Sequence, residues 1–260
     1  MAEIEQRPES AARESEAELR SELERVQAEL ARRDREAASK EQQLERYAAD
    51  LRETFKQERA RSLELQESYM ATVRALSNAV EARDSYTAKH AERVAAYSLE
   101  LARAMGLELS DDPATEFGFL LHDVGKVAIS DAILYKPGKL TAEERIEMQR
   151  HPVVGSSIVA EIGFLGVASQ VVRHHHERWD GSGYPDGLAG EEIPVAARVF
   201  AVADVLDALT TDRPYRGRMS FAVAREEILK EAGTHFDPAV IATYEQLPDS
   251  TFERIAQAIG

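Results

Sequence analysis

From about Glu9 to Ser68 the chain runs without proline or glycine, and Glu, Arg, Ala, Gln and Leu dominate it. These are good helix formers, and nothing in the run supplies a turn, so a long helix is the structure left open to it. Leu19, Leu23, Val26 and Leu30 recur at the alternating four-three spacing of a coiled-coil seam, which Ala37, Leu44, Tyr47 and Leu51 continue. Arg33 and Lys40 fall at seam positions in the same frame, and after Leu51 the register shifts toward Phe55, Leu65 and Tyr69. Two outcomes fit: a parallel stalk that pairs two copies and relays a signal, or a lone solvated helix. Isolated helices need packing to be stable, which favours the stalk.

From about Tyr69 the composition becomes that of a globular domain, so the predicted division is 1–68 for the stalk and 69–260 for the domain. Val73, Leu76 and Val80, then Val94, Leu101 and Met105, recur at helical spacing, with Gly106 as a stop. Asp112-Pro113 reads as an N-cap and first-turn proline for a helix through Phe117, Leu120 and Leu121. Thr141-Ala142-Glu143-Glu144 reads as a capping box for a helix ending near His151-Pro152. Gly155 to His176 is helical with a break at Gly163 to Gly166, and Val195 to Thr211 and Phe221 to Glu231 are further helices. No segment alternates with a strand period. The predicted fold is all-α, without an internal repeat.

A 260-residue chain with 43% hydrophobic residues can bury a sizeable core. Its formal charge of -15 repels polyanions and argues against a nucleic-acid or membrane-surface partner. Cysteine is absent, so disulfides and thiolate metal sites are excluded. MAEIEQRPES lacks the basic and apolar segments of a signal peptide, and the richest apolar stretch, Val195 to Leu209, contains Arg198, Asp204 and Asp207. A soluble, cytoplasmic protein is expected.

The chain has seven histidines, and three of them are adjacent in HHHERWDGSGYPDG, from His174 to Gly187. His122 and Asp123 adjoin one another before Gly125-Lys126, His151 precedes a proline, and Asp204 is embedded in the apolar run AVADVLDAL. A single histidine on an apolar helix is more often a hydrogen-bonded core residue than a ligand. A carboxylate inside an apolar run needs a partner, and Asp207 lies one turn further on the same face. Nitrogen and carboxylate ligands without thiolates suit iron, manganese, nickel or zinc. Two such ions about 3.5–4 Å apart can activate a water and clamp an in-line phosphoryl displacement.

HDVGK at 122–126, HHERWDGSGYPDG at 175–187 and VADVLDALTTDRPYR at 202–216 resemble the HD-GYP family of cyclic di-GMP phosphodiesterases, a branch of the HD-domain metal-dependent phosphohydrolases. The resemblance extends through DSYTAKHAERV at 84–94, SDAILYKPGKLTAEE at 130–144, His151-Pro152 and GTHFDP at 233–238, from about residue 70 to the end. It implies an HD-domain helical bundle. It also implies two divalent transition-metal ions, iron or manganese foremost with nickel or zinc as alternatives. Their ligands would be His122, Asp123, His151, His175, His176 and Asp204, with Asp123 bridging.

By the same resemblance Lys126 contacts the scissile phosphate, Arg213 and Arg216 grip the ligand's phosphates, and Tyr184 and Asp207 are candidates for guanine or ribose contacts. Lys136 and Lys139 in KPGK are read equally as loop packing or as part of a loop over the site, and His174 as a helix-end residue. One departure is visible. Some members carry a glutamate four residues before the position of His90, helping to bind a third metal; here Tyr86 stands there, and His90 is read as supporting or structural.

The expected activity is hydrolysis of cyclic di-GMP to pGpG, with slower passage to GMP, in second-messenger signalling. Expected partners are a second copy through the N-terminal helix and a diguanylate cyclase or other signalling protein. The rivals are an HD-type hydrolase of another cyclic dinucleotide or nucleotide, and a low-turnover cyclic di-GMP sensing module. The complete ligand pattern favours the enzyme.

Overall fold

The computed structural model describes residues 6–83, 89–110, 113–163, 165–212 and 217–260, with side chains from Ser15 onward except that of Ser110. Tyr86, Asp112, Arg213 and Arg216 therefore lie outside the described residues. The fold is all-α, and among the described residues the only β pairing is an isolated bridge between Ala232 and Phe236. The proline- and glycine-free run lies within one helix, α1 (Gln6–Glu81). Two units separate at Gln66/Glu67. In the first, the seam residues Leu19, Leu23, Val26, Leu30, Leu44, Tyr47 and Leu51 are all more than half exposed.

In the second unit α1 ends against α2 (His90–Ala104), α3 (Pro113–Leu120) and a 3₁₀ turn over Val124–Ala128. Met70 and Val73 pack on the core and Val80 is buried in it. Ser77 Oγ donates to Leu120 O at 2.8 Å, and the Glu81 carboxylate accepts from the backbone N–H groups of Lys89 and Ala91 at the start of α2. Arg83 donates to Val127 O at 3.1 Å and pairs with Asp131 at 2.7 Å. These bonds bracket the His122-Asp123 turn from both sides in sequence.

The remaining helices are α4 (Asp131–Leu134), α5 (Ala142–Met148), α6 (His151–Ala160), α7 (Gly166–His174), α8 (Val195–Thr210), α9 (Phe221–Leu229), α10 (Pro238–Gln246) and α11 (Asp249–Ile259). Thr141 and Glu144 form the expected capping box, with bonds of 3.2 and 2.7 Å. Lys136 binds that same Glu144 carboxylate, so in KPGK the packing role holds for this lysine. One sequence expectation is corrected: His151 begins a helix rather than ending one. Proline has no N–H to lose in a first turn, so Pro152 marks a start.

Two buried clusters carry the domain. Val94, Tyr97 and Leu101 of α2 meet Val199, Phe200, Ala203 and Leu206 of α8, and Phe117, Leu121, Val124, Val159, Leu165, Ala168 and Val172 form the second. Each fully buried Leu or Phe contributes about 1.5–3 kcal/mol, set against the entropy of ordering the chain. Two close backbone approaches bring the histidine-bearing segments together. A Cβ on Gly118 of α3 would lie 3.0 Å from Ala168 Cα of α7, and one on Gly125 would lie 2.6 Å from Gly155 N of α6. Glycine there lets the His122-Asp123 turn lie directly on the helix that begins with His151, while α3 lies on the helix that leads to His175.

Candidate metal centre

Five of the seven histidines converge in the domain. His151, His175 and His176 present ring nitrogens that, taken together, lie within 4.8 Å of one another; so do ligand atoms of His90, His122 and Asp204. Asp123 faces both groups. Its Oδ1 is 3.4 Å from His151 Nε2 and 4.0 Å from His175 Nε2, while its Oδ2 is 3.2 Å from His122 Nε2. All six ligands expected from the sequence are thus together, and His90, expected to be only supporting or structural, joins them with its Nε2 3.4 Å from Asp204 Oδ1.

The local backbone sets which nitrogen faces inward. His122 Nδ1 lies 2.9 Å from Phe119 O, His151 Nδ1 2.8 Å from Met148 O, and His175 Nδ1 2.8 Å from Val172 O, each carbonyl three residues earlier. A carbonyl can only accept, so in each ring Nδ1 carries the proton and Nε2 turns a lone pair into the site. His151 Nε2 and His175 Nε2 consequently face each other at 3.3 Å, on rings only 1% and 3% exposed. Two opposed lone pairs away from water suit a cation held by both nitrogens. Two nitrogens each about 2.1 Å from one ion, at angles between octahedral and tetrahedral, sit about 3.0–3.4 Å apart. The residues fit a divalent metal.

Protonation follows the same logic. Burial, with the neighbouring histidines, pushes His175 well below the ordinary histidine range, and burial with His151 brings His176 down to about 3. Burial also lowers His151. Burial opposes ionisation of Asp123, but Lys126 and His122 outweigh it and hold the carboxyl well below its ordinary value. At Asp204 burial is likewise overcome, here by His90, and the carboxyl drops to about 2. Neutral imidazoles beside ionised carboxylates are the form that binds metal. His90 differs: burial works against its charge, but Asp204 and Asp207 raise it to about 10, so an ion held at its Nε2 would displace that nitrogen's proton.

Asp207 lies behind His90. It is 1% exposed, and both oxygens are engaged: Oδ1 by Arg93 Nε at 2.6 Å, Oδ2 by His90 Nδ1 at 2.7 Å and Arg93 Nη2 at 3.0 Å. The pair of Asp207 with His90 is a carboxylate–histidine arrangement common behind metal ligands, and with Arg93 it occupies both Asp207 oxygens. The sequence placed Asp207 on the right face of α8, but its partners lie more than a hundred residues earlier in the chain. Tyr184 does reach the site's edge, its ring 4.7 Å from that of His176 and tilted by 32°. Lys126 Nζ is 2.7 Å from Asp123 Oδ2. Arg93, buried on α2, was not singled out from sequence; the signal available was an arginine three residues after His90, within a core-facing helix.

A family model described as "HD domain" matches residues 74–240. The chain belongs to the HD-domain family. Over 181 residues it is 43% identical to a 3'3'-cGAMP-specific phosphodiesterase 2 of Vibrio cholerae serotype O1, covering 69% of this chain and 35% of that protein. Over 180 residues it is 41% identical to the cyclic di-GMP phosphodiesterase response regulator RpfG of Xanthomonas campestris pv. campestris, covering 68% and 48%. This HD-domain chain thus spans less than half the length of either relative, and their names agree with the HD-GYP resemblance read from the sequence. A crystal structure of a cyclic GMP-AMP specific phosphodiesterase of V. cholerae shares the fold, with a TM-score of 0.53 at 20% identity over 71% of this chain and 52% of that one. No helix among the described residues is long and apolar enough to cross a membrane.

Proposed function

We propose that this HD-domain protein is a cytoplasmic, metal-dependent phosphodiesterase that hydrolyses cyclic di-GMP to pGpG at a pair of divalent ions, iron or manganese foremost. The observation that carries the reading is Asp123, whose two oxygens address separate donor groups. His151, His175 and His176 would hold one ion and His90, His122 and Asp204 the other, with Asp123 shared. When bound, such ions supply Lewis acidity and an activated water for in-line displacement at phosphorus.

The chain's own residues do the rest. Lys126, beside Asp123, places a cation where a phosphate oxygen gains charge as the phosphodiester is attacked. Asp207 and Arg93 keep His90 turned inward. Tyr184 walls the cleft next to His176. Arg213 and Arg216 remain proposed phosphate contacts on the strength of the resemblance. A relative named for 3'3'-cGAMP, at 43% identity, supports that cyclic dinucleotide as the second substrate to test.

The deciding experiment is metal analysis of the purified protein with chromatography of products from both cyclic dinucleotides. We expect about two metal ions per chain, as for a binuclear clamp, and pGpG accumulating before GMP, because Tyr86 offers no carboxylate to a third ion near the terminal phosphate. A chain that purifies with bound metal yet cleaves neither dinucleotide would be a sensing module instead.

A second copy is proposed to pair through α1, whose large apolar seam residues are more than half exposed within their own unit. Packing of α1 in the domain begins at Met70, so deleting residues 1–67 should leave the domain folded. Light scattering should show a dimer for the full chain and a monomer for the truncated one. A full chain that is monomeric at micromolar concentration rejects the stalk.

A further inference from the structure

Three residues around the His175-His176 pair do not serve the metal centre; they engage the glycine-rich loop C-terminal to it. Glu177 is 3% exposed, and its carboxylate accepts backbone N–H bonds from Asp186 at 2.8 Å, Gly187 at 3.1 Å and Leu188 at 3.1 Å. Arg173 donates through Nε and Nη2 to the two oxygens of Asp186, both at 2.7 Å, and His174 Nε2 lies 3.2 Å from the same carboxylate. The loop between these anchors doubles back on the ligand-bearing segment. Tyr184 N donates to His176 O at 3.2 Å, and a Cβ on Gly183 would sit 2.5 Å from Glu177 Cα and 2.6 Å from His176 O. Tyr184 is thereby laid beside His176.

We propose that Glu177 is a positioning residue for substrate: with the Arg173–Asp186 pair it clamps the loop so that Tyr184 forms one wall of the cleft, setting affinity for the dinucleotide without assembling the metal centre. This accounts for the order of residues in Arg173-His174-His175-His176-Glu177. The inner pair faces the ions and the flanking residues hold the loop. Several charge-assisted bonds from one buried carboxylate fix the loop more tightly than neutral turn bonds would. The substrate half of this inference rests on the phosphodiesterase reading; the clamp itself does not.

Glu177→Gln preserves shape but presents an amide N–H₂ where one carboxylate oxygen accepted, so at least one of the three backbone donors loses its partner. Hydrogen exchange at Asp186, Gly187 and Leu188 should quicken about tenfold or more, the effect of losing one hydrogen bond to a charged acceptor, with α7 protection unchanged. Metal content should stay at the wild-type level. KM for cyclic di-GMP should rise about tenfold with kcat nearly constant, the pattern of lost uniform binding. In a Tyr184→Ala background the same substitution should add almost nothing, since both act through one wall. Asp186→Asn, at a more exposed carboxylate, should shift exchange and KM in the same direction by less.

Unchanged exchange at 186–188, a fully additive effect in Tyr184→Ala, or metal loss in step with kcat overturns the proposal. A wild-type protein that turns over neither dinucleotide while the exchange difference persists overturns only the phosphodiesterase reading.

Discussion

Asp123→Ala should strip the protein of most of its metal and abolish hydrolysis. The carboxylate faces both donor groups, and His122, His151 and His175 beside it are each held by a backbone carbonyl and so are not free to swing in to replace it. Losing a residue that only supports a metal ligand costs roughly 10–100-fold in affinity, and losing the shared ligand should cost more. Lys126→Ala separates assembly from catalysis: metal should remain, while kcat falls by roughly 10²–10³, as when one donor to a developing oxyanion is removed. Elemental analysis beside steady-state rates reads both effects. Asp123→Ala protein with wild-type metal content and rate would mean that the centre lies elsewhere.

Gly125→Ala should damage the fold and the site together. The added Cβ would lie 2.6 Å from Gly155 N and 2.8 Å from His151 C, and closer still to the His151 carbonyl oxygen. These are backbone atoms of α6, so relief requires moving the helix that carries His151. Overpacking of this kind costs about 3 kcal/mol or more. For a domain of this size that is a fall of roughly 6–12 °C in Tm. Displacing His151 also opens the 3.3 Å pairing with His175, so metal affinity should drop in parallel. Gly163→Ala is the control, because among the described residues nothing beyond its chain neighbours lies within 4 Å of its added Cβ. Calorimetry with metal analysis checks both; a Gly125→Ala protein matching the control in Tm and metal would show that the HD turn and α6 do not depend on this approach.

The helices were legible because their signals are local. Helix-forming composition set α1, the Thr141 to Glu144 capping box set α5, and a long apolar run set α8. The six expected ligands were legible as a pattern of residue types in a familiar order, and the fold brings them together. Where local signals admit two meanings, the reading failed. Pro152 reads as a stop but opens a helix, and nothing local in the sequence shows that Gly125 lets two backbones touch.

What the sequence determined by itself is therefore the helical content, the long N-terminal helix and the candidate metal-ligand residue types. Tertiary structure alone decided their roles. Asp204 and Asp207 share a face of α8, yet Asp204 joins the donor group while Asp207 is held by Arg93 and His90. Glu177 adjoins the ligand pair in sequence but binds the loop beyond it. Helical periodicity tells which side of an element is buried. It does not tell what lies opposite, because that partner arrives from a distant part of the chain only when the core closes.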